Sequence, residues 1–142
     1  MTQQQNILKY IPQRPPFVFV DTIVSVTDTQ TVTTFDIKEG NLFCEEGIFY
    51  EAGMIENIAQ TVAAGSGYRL NKKNEEPKIG LIGAVKNLKV FCRPRAGCSI
   101  RTVTELITNF ENAMVVQGTI FNEEKPIASC QMNIFIIDHP NL

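Results

Sequence analysis

The spacing of apolar side chains along the chain switches between two periods. Residues 17–26 are rich in β-branched and aromatic types, Thr27, Asp28, Thr29 and Gln30 supply turn chemistry, and residues 31–37 are β-prone again, which predicts a first hairpin. The period then changes. Ile55, Ile58, Ala59, Val62 and Ala63 recur at helical spacing from about Ala52, and Gly65 with Gly67 marks the expected end of one long helix. Small and apolar residues, among them Ala52, Gly53, Ala59, Ala63 and Ala64, cover most faces of that helix, as suits an element enclosed by others. From Ile79 the pattern is β throughout, with strands expected over 79–92, 98–108, 113–121 and 127–137 and turns over 93–97, 109–112 and 122–126.

Two stretches fit neither period. Ile11-Pro12-Gln13-Arg14-Pro15-Pro16 follows a short amphipathic opening at Ile7, Leu8 and Tyr10; its prolines remove donors and restrict their neighbours, so it reads as an extended entry loop. Residues 71–78 are charged and short of apolar side chains, which predicts a solvent loop. Hairpin, helix and a run of antiparallel strands together predict an α+β fold in which one sheet curls about a central helix.

Composition narrows the classes. At 142 residues the chain fits one domain spanning 1–142. Its net charge of −2 and the scatter of Lys72, Lys73, Lys86, Lys89, Arg93 and Arg95 argue against a nucleic-acid partner. Met1 to Asn6 is polar and no apolar run approaches membrane-spanning length, so a soluble cytoplasmic protein without membrane insertion is expected. Cys44, Cys92, Cys98 and Cys130 lack zinc-ligand spacing, and the one histidine, His139, falls in a tail ahead of Pro140. Reduced cysteines, no metal and no cofactor are the expectation.

In order, these pieces resemble the (3R)-hydroxyacyl-[acyl-carrier-protein] dehydratases, a hotdog-fold family, along nearly the whole chain. Ile11-Pro12-Gln13-Arg14-Pro15-Pro16-Phe17-Val18-Phe19-Val20-Asp21 is similar to the family's L-P-H-R-x-P-F-L-L-V-D, with Gln13 where a histidine is usual. Glu56-Asn57-Ile58-Ala59-Gln60 resembles the helix signature E-A-M-A-Q, with Ile48-Phe49 where the family carries Ile-Phe, and residues 83–94 resemble the stretch from F-A-G to a K/R-P turn. The form from Gly53 to Gln60 is also similar to the G-I-E-x-M-A-Q of divergent hotdog proteins from aryl polyene pathways. One departure stands out: the family histidine in G-H-F-P aligns with Leu42.

The resemblance implies dehydration of an acyl thioester, which needs a base near Cα, an acid at the departing hydroxyl and a donor for the enolate oxygen. Glu56 is the candidate acid or base, because burial in an apolar helix disfavours the charged form of a carboxyl. Gln60, one turn on, is placed to orient it. Gly53 offers close approach to helix N-terminal donors, and Phe49, Tyr50 and Gly83 complete the expected substrate-binding set. Tyr50, Cys44 and Asn41 are the local candidates to replace the histidine, although core packing or loop filling is the better account of each. Two other readings stay open: a thioesterase using the same Glu56, and a non-catalytic acyl-binding or partner subunit, which the missing histidine favours. The implied partners are an acyl carrier protein or coenzyme A thioester, met by Lys86, Lys89, Arg93 and Arg95, and a second hotdog subunit in a homodimer or larger assembly.

Overall fold

The computed structural model describes residues 6–137. A 3₁₀ turn at Ile7–Lys9, capped by Asn6 Oδ1 accepting from Leu8 N, leads into the entry segment. The hairpin follows as β1 (Thr22–Val26) and β2 (Gln30–Asp36), its turn tied by Thr27 Oγ1 accepting from the N–H groups of Thr29 and Gln30. Two short strands not expected from the sequence, β3 (Cys44–Glu45) and β4 (Ile48–Phe49), form a small separate hairpin. At two residues each, they are too short to carry a readable alternation.

Helix α1 spans Glu51–Lys72, well past the predicted end. Gly65 and Gly67 lie inside it, and close packing explains both. A Cβ at Gly65 would collide with the Thr31 side chain, and one at Gly67 with the backbone carbonyl of Tyr10. They are points of close approach by β2 and the entry segment. The charged loop is correspondingly shorter, beginning after Lys72.

Strands β5 (Ile79–Val90), β6 (Ser99–Phe110), β7 (Ala113–Asn122) and β8 (Lys125–Ile137) complete a six-stranded antiparallel sheet in the order β1-β2-β6-β7-β8-β5. Register shifts mark bulges in β1, β5, β6 and β8, which increase local twist and curl the sheet around α1. Alternation along β6 buries Ile100, Thr102 and Thr104 toward the helix; β7 does the same with Val116 and Ile120. Phe19, Phe35, Phe49, Met54 and Ile58 form the centre of the main core. A smaller cluster of Ile7, Ile11, Val20, Ile23 and Ala64 seals the entry segment. This is the α+β hotdog arrangement that the order of elements predicts.

Buried threonines line the seam between helix and sheet. Thr33 and Thr61 hydroxyls meet at 2.7 Å, and Thr61 also donates to Asn57 O at 2.8 Å. Among the described residues no helix is long and apolar enough to cross a membrane.

Candidate active site

Two amides on one face of α1 grip the segment that follows the entry prolines. Gln60 Oε1 accepts from Phe19 N at 2.7 Å, and its Nε2 donates to Phe17 O at 2.9 Å. Asn57 Nδ2 donates to Phe19 O at 2.7 Å, while its Oδ1 accepts from Thr102 Oγ1 of β6. Asn57 and Gln60 are both fully buried. They satisfy the backbone of residues 17–19 much as a neighbouring strand would. The backbone partners fix both amide orientations, since a carbonyl oxygen only accepts and an N–H only donates.

That orientation leaves Gln60 Nε2 free to donate a second time, to Glu56 Oε1 at 3.2 Å. The half-buried Glu56 carboxyl lies in the wall of a cavity of about 220 Å³. Ala59, Val62, Ala63 and Ser66 of α1 form one side, Gly80, Leu81 and Ile82 of β5 another, with Met114, Ile134 and Ile136 opposite. The cavity is thus largely apolar, with Glu56 as its one acidic side chain among the described residues. Lys78 and Gln13 complete the lining.

Gln13 was readable only as the residue standing in for a family histidine; its placement depends on the fold. Arg14 Nη1 donates to Ile11 O and Gln13 O, which holds the bend that turns Gln13 toward the helix. Its Oε1 is buried and meets no hydrogen-bond donor among the described residues. Asn57 carried no signal in the sequence beyond its place in the helix signature.

The other expected residues fall elsewhere. Gly53 N donates to Tyr50 O at 3.0 Å, so the free backbone donor expected there is engaged in the first turn of α1. A Cβ on Gly53 would meet the Phe49 ring and Phe43, which makes it a packing position. Phe49 is fully buried in the core against Phe19 and Phe35. Tyr50 is the helix N-cap, with the Arg93 guanidinium over its ring at 5.1 Å. Gly83 lies at a bulge of β5, where a Cβ would collide with the Phe135 ring. None of these four lines the Glu56 cavity.

Leu42, at the position of the missing histidine, is half exposed and offers no group for proton transfer. Asn41 Oδ1 accepts from Phe43 N at 2.9 Å, and burial together with the Glu39 carboxylate pushes the Cys44 thiol up. The four cysteines are free, and among the described residues no cluster of three metal-ligand side chains exists. His139 lies outside the described residues. Of the expected basic docking residues, Lys86, Lys89 and Arg95 are exposed. Arg93 is instead committed to Glu51 through two bonds of 2.6 and 2.9 Å.

A six-stranded antiparallel sheet curled around one helix defines a hotdog-fold protein, and here the Glu56 carboxyl stands in the wall of a largely apolar cavity. The chain belongs to the ApeP-like family: the family model, described as ApeP dehydratase, matches residues 5–141. It is 26% identical over 140 residues to the 3-hydroxyacyl-[acyl-carrier-protein] dehydratase FabZ of Clostridium kluyveri, covering 94% of this chain and 95% of that protein. Its fold is similar to that in the dehydratase heterocomplex ApeI:P from Xenorhabdus doucetiae, with a TM-score of 0.88 at 17% identity, covering 96% and 93% of the two chains. A hypothetical thioesterase of Streptococcus pneumoniae, solved with coenzyme A, shares the fold more distantly, with a TM-score of 0.64 at 11% identity over 81% and 84%.

Proposed function

We propose that the protein removes water from 3-hydroxyacyl thioesters, with Glu56 as the acid-base group. The observation that carries this is the Glu56 carboxyl, oriented by Gln60 and set in the wall of an apolar cavity. The carboxylate takes the Cα proton, then returns a proton to the hydroxyl as the Cβ–O bond breaks, giving a 2-enoyl thioester and water. One group carries both transfers. Gln13 suits the substrate side of this scheme: an unpaired buried amide oxygen costs about 1–3 kcal/mol, and the 3-hydroxyl of a bound acyl chain would supply a donor to it. Family membership supports the same reaction class.

The carrier and the assembly follow the same line. Exposed Lys86, Lys89 and Arg95 support docking of an acidic acyl carrier protein. Strand β5 offers twelve residues at the sheet edge and exposes Leu81, Ile82 and Leu88, the first two of which line the cavity, and this supports edge-to-edge pairing with a second hotdog subunit. A monodisperse monomer at micromolar concentration would rule that pairing out.

The deciding experiment incubates the purified protein with a 3-hydroxyacyl, a 2-enoyl and a saturated acyl thioester. Reversible loss and gain of water is the expected outcome. Release of free thiol would replace the dehydratase with a thioesterase, and inertness toward all three would leave a partner subunit.

A further inference from the structure

Three consecutive peptide planes between Phe17 and Val20, ahead of β1 and in no strand, are held by amide side chains of α1. Gln60 takes the first two, donating to Phe17 O at 2.9 Å and accepting from Phe19 N at 2.7 Å, and Asn57 takes the third, donating to Phe19 O at 2.7 Å. We propose that Asn57 is a positioning residue for the reaction at Glu56: it fixes the backbone on which Gln60 is set, and through Gln60 the direction of the carboxyl. The inference rests on the reading of Glu56 as the acid-base group and goes one residue beyond it.

Each amide has one orientation. Phe19 O only accepts and Phe19 N only donates, so Asn57 Nδ2 and Gln60 Oε1 must face them. The other end of Asn57 is fixed as well, because its Oδ1 accepts from Thr102 Oγ1 on β6. Asn57, Gln60, Phe19 and Thr102 are all buried, which keeps bulk solvent from competing for these bonds. Helix spacing divides the work: residues three apart lie side by side on one face, and here they reach neighbouring peptide groups of the passing segment.

Gln60 Nε2 is shared between Phe17 O at 2.9 Å and Glu56 Oε1 at 3.2 Å. The carboxyl is therefore aimed only as well as Gln60 is held, and Gln60 only as well as residues 17–19 keep their place against the helix. Without Asn57 the Phe19 carbonyl is stranded in the core, a cost that drives the plane between Phe19 and Val20 to turn. Phe19 N and Phe17 O then shift with it. The demand on aim is high in this chain. One carboxyl must meet both the Cα proton and the departing hydroxyl, since Leu42 stands where the family histidine is expected. The helix signature that residues 56–60 resemble has Ala in place of Asn57, so the clamp belongs to this sequence and not to the motif. Neither Asn57 nor Thr102 lines the Glu56 cavity. An effect of either on turnover has to travel through these hydrogen bonds.

Thr102 supplies the test, because its two conservative replacements separate hydrogen bonding from packing. Thr102→Val keeps the shape and loses the hydroxyl, whereas Thr102→Ser keeps the hydroxyl and loses a methyl. Rates on a 3-hydroxyacyl thioester are measured for both, for Asn57→Leu and for the double variant Asn57→Leu, Thr102→Val, each below its own thermal transition. Asn57→Leu should lower kcat by about tenfold and Thr102→Val by about threefold with KM nearly unchanged, while Thr102→Ser stays within about twofold of wild type. The double variant should regain part of the lost Tm and still turn over about tenfold slower than wild type. The reverse order for the two Thr102 variants, or a kcat that tracks Tm across the set, overturns the proposal. Should Asn57→Leu fail to fold, the Thr102 pair decides alone.

Glu56→Gln, assayed alongside, tells the two readings apart. Lost turnover in Glu56→Gln with wild-type kcat in Asn57→Leu and Thr102→Val would keep Glu56 as the acid-base group and reject Asn57 as its positioner. Full turnover in Glu56→Gln would reject both. A wild type that releases free thiol, and needs Glu56 to do so, would replace the dehydratase, and the same rate comparison then decides the role of Asn57 on hydrolysis. A wild type inert toward every thioester leaves no reaction to position and overturns the inference together with the reading beneath it.

Discussion

Gln60 reaches back one helical turn to Glu56, its Nε2 donating to the carboxyl Oε1 at 3.2 Å while the same nitrogen donates to Phe17 O. The carboxyl is therefore oriented by an amide that is itself immobilised by the backbone of the entry segment. That segment also carries Gln13, which separate bonds from Arg14 Nη1 to Ile11 O and Gln13 O hold in place.

The two residues should respond differently to substitution. Glu56→Gln preserves the shape of the wall and removes the proton-transfer group, so turnover should fall by about 10²–10⁴-fold with the thermal transition little changed. Gln60→Met leaves Phe19 N and Phe17 O unpaired, which should cost about 2–4 kcal/mol of stability. It should also lower kcat by about ten- to a hundredfold through misorientation of the carboxyl, with KM nearly unaltered. Equal losses of kcat with no stability change in Gln60→Met would refute the positioning role.

Asn57 carries no proton-transfer chemistry, yet it links three elements: entry segment, helix and β6. Asn57→Leu deprives both Phe19 O and Thr102 Oγ1 of a partner inside the core. A loss of about 2–4 kcal/mol in chemical denaturation is expected. The double variant Asn57→Leu, Thr102→Val removes one orphaned hydroxyl and should recover part of that loss.

The contrast between these residues shows what the chain discloses by itself. The strands of the main sheet, the helix start and Glu56 are visible because they rest on local period and on a polar residue out of place in an apolar run. Asn57 and Met114 are not visible, and Gln13 shows only as the substitute for a family histidine. Their surroundings arise from segments far apart in sequence, such as the 41-residue separation between Phe19 and Gln60. Gly65 and Gly67 misdirect for the same reason. Glycine near the end of an apolar run is a stop signal in local terms, whereas here the helix continues because neighbouring backbone and side chains need the space.

Gly67 offers a test in which two effects oppose each other. Replacing an interior helix glycine by alanine normally stabilises by about 1 kcal/mol. Here the new Cβ would collide with the Tyr10 carbonyl, a backbone group that cannot rotate away. Overpacking of this kind costs about 1–3 kcal/mol, so Gly67→Ala should lower Tm. A rise in Tm would mean that the entry segment yields freely.

Asp21 gives a signed pH dependence. Burial holds its carboxyl above the usual carboxylate range, against the pull of the Asp36 N–H that it accepts at 2.7 Å, with the Asp36 carboxylate adding repulsion and Lys38 opposing it. An acid whose folded pKa is raised contributes stability in its protonated form, fully present below the unfolded pKa and lost as pH rises through the folded one. Asparagine mimics that protonated form and keeps an oxygen for Asp36 N. Asp21→Asn should therefore be more stable than wild type at neutral pH, by less than about 1 kcal/mol because the site is half open to solvent. The two melting curves should converge as pH falls below the ordinary aspartate range. A variant that is less stable than wild type at neutral pH would show that the bond from Asp36 N requires the full carboxylate charge and outweighs the cost of burying it.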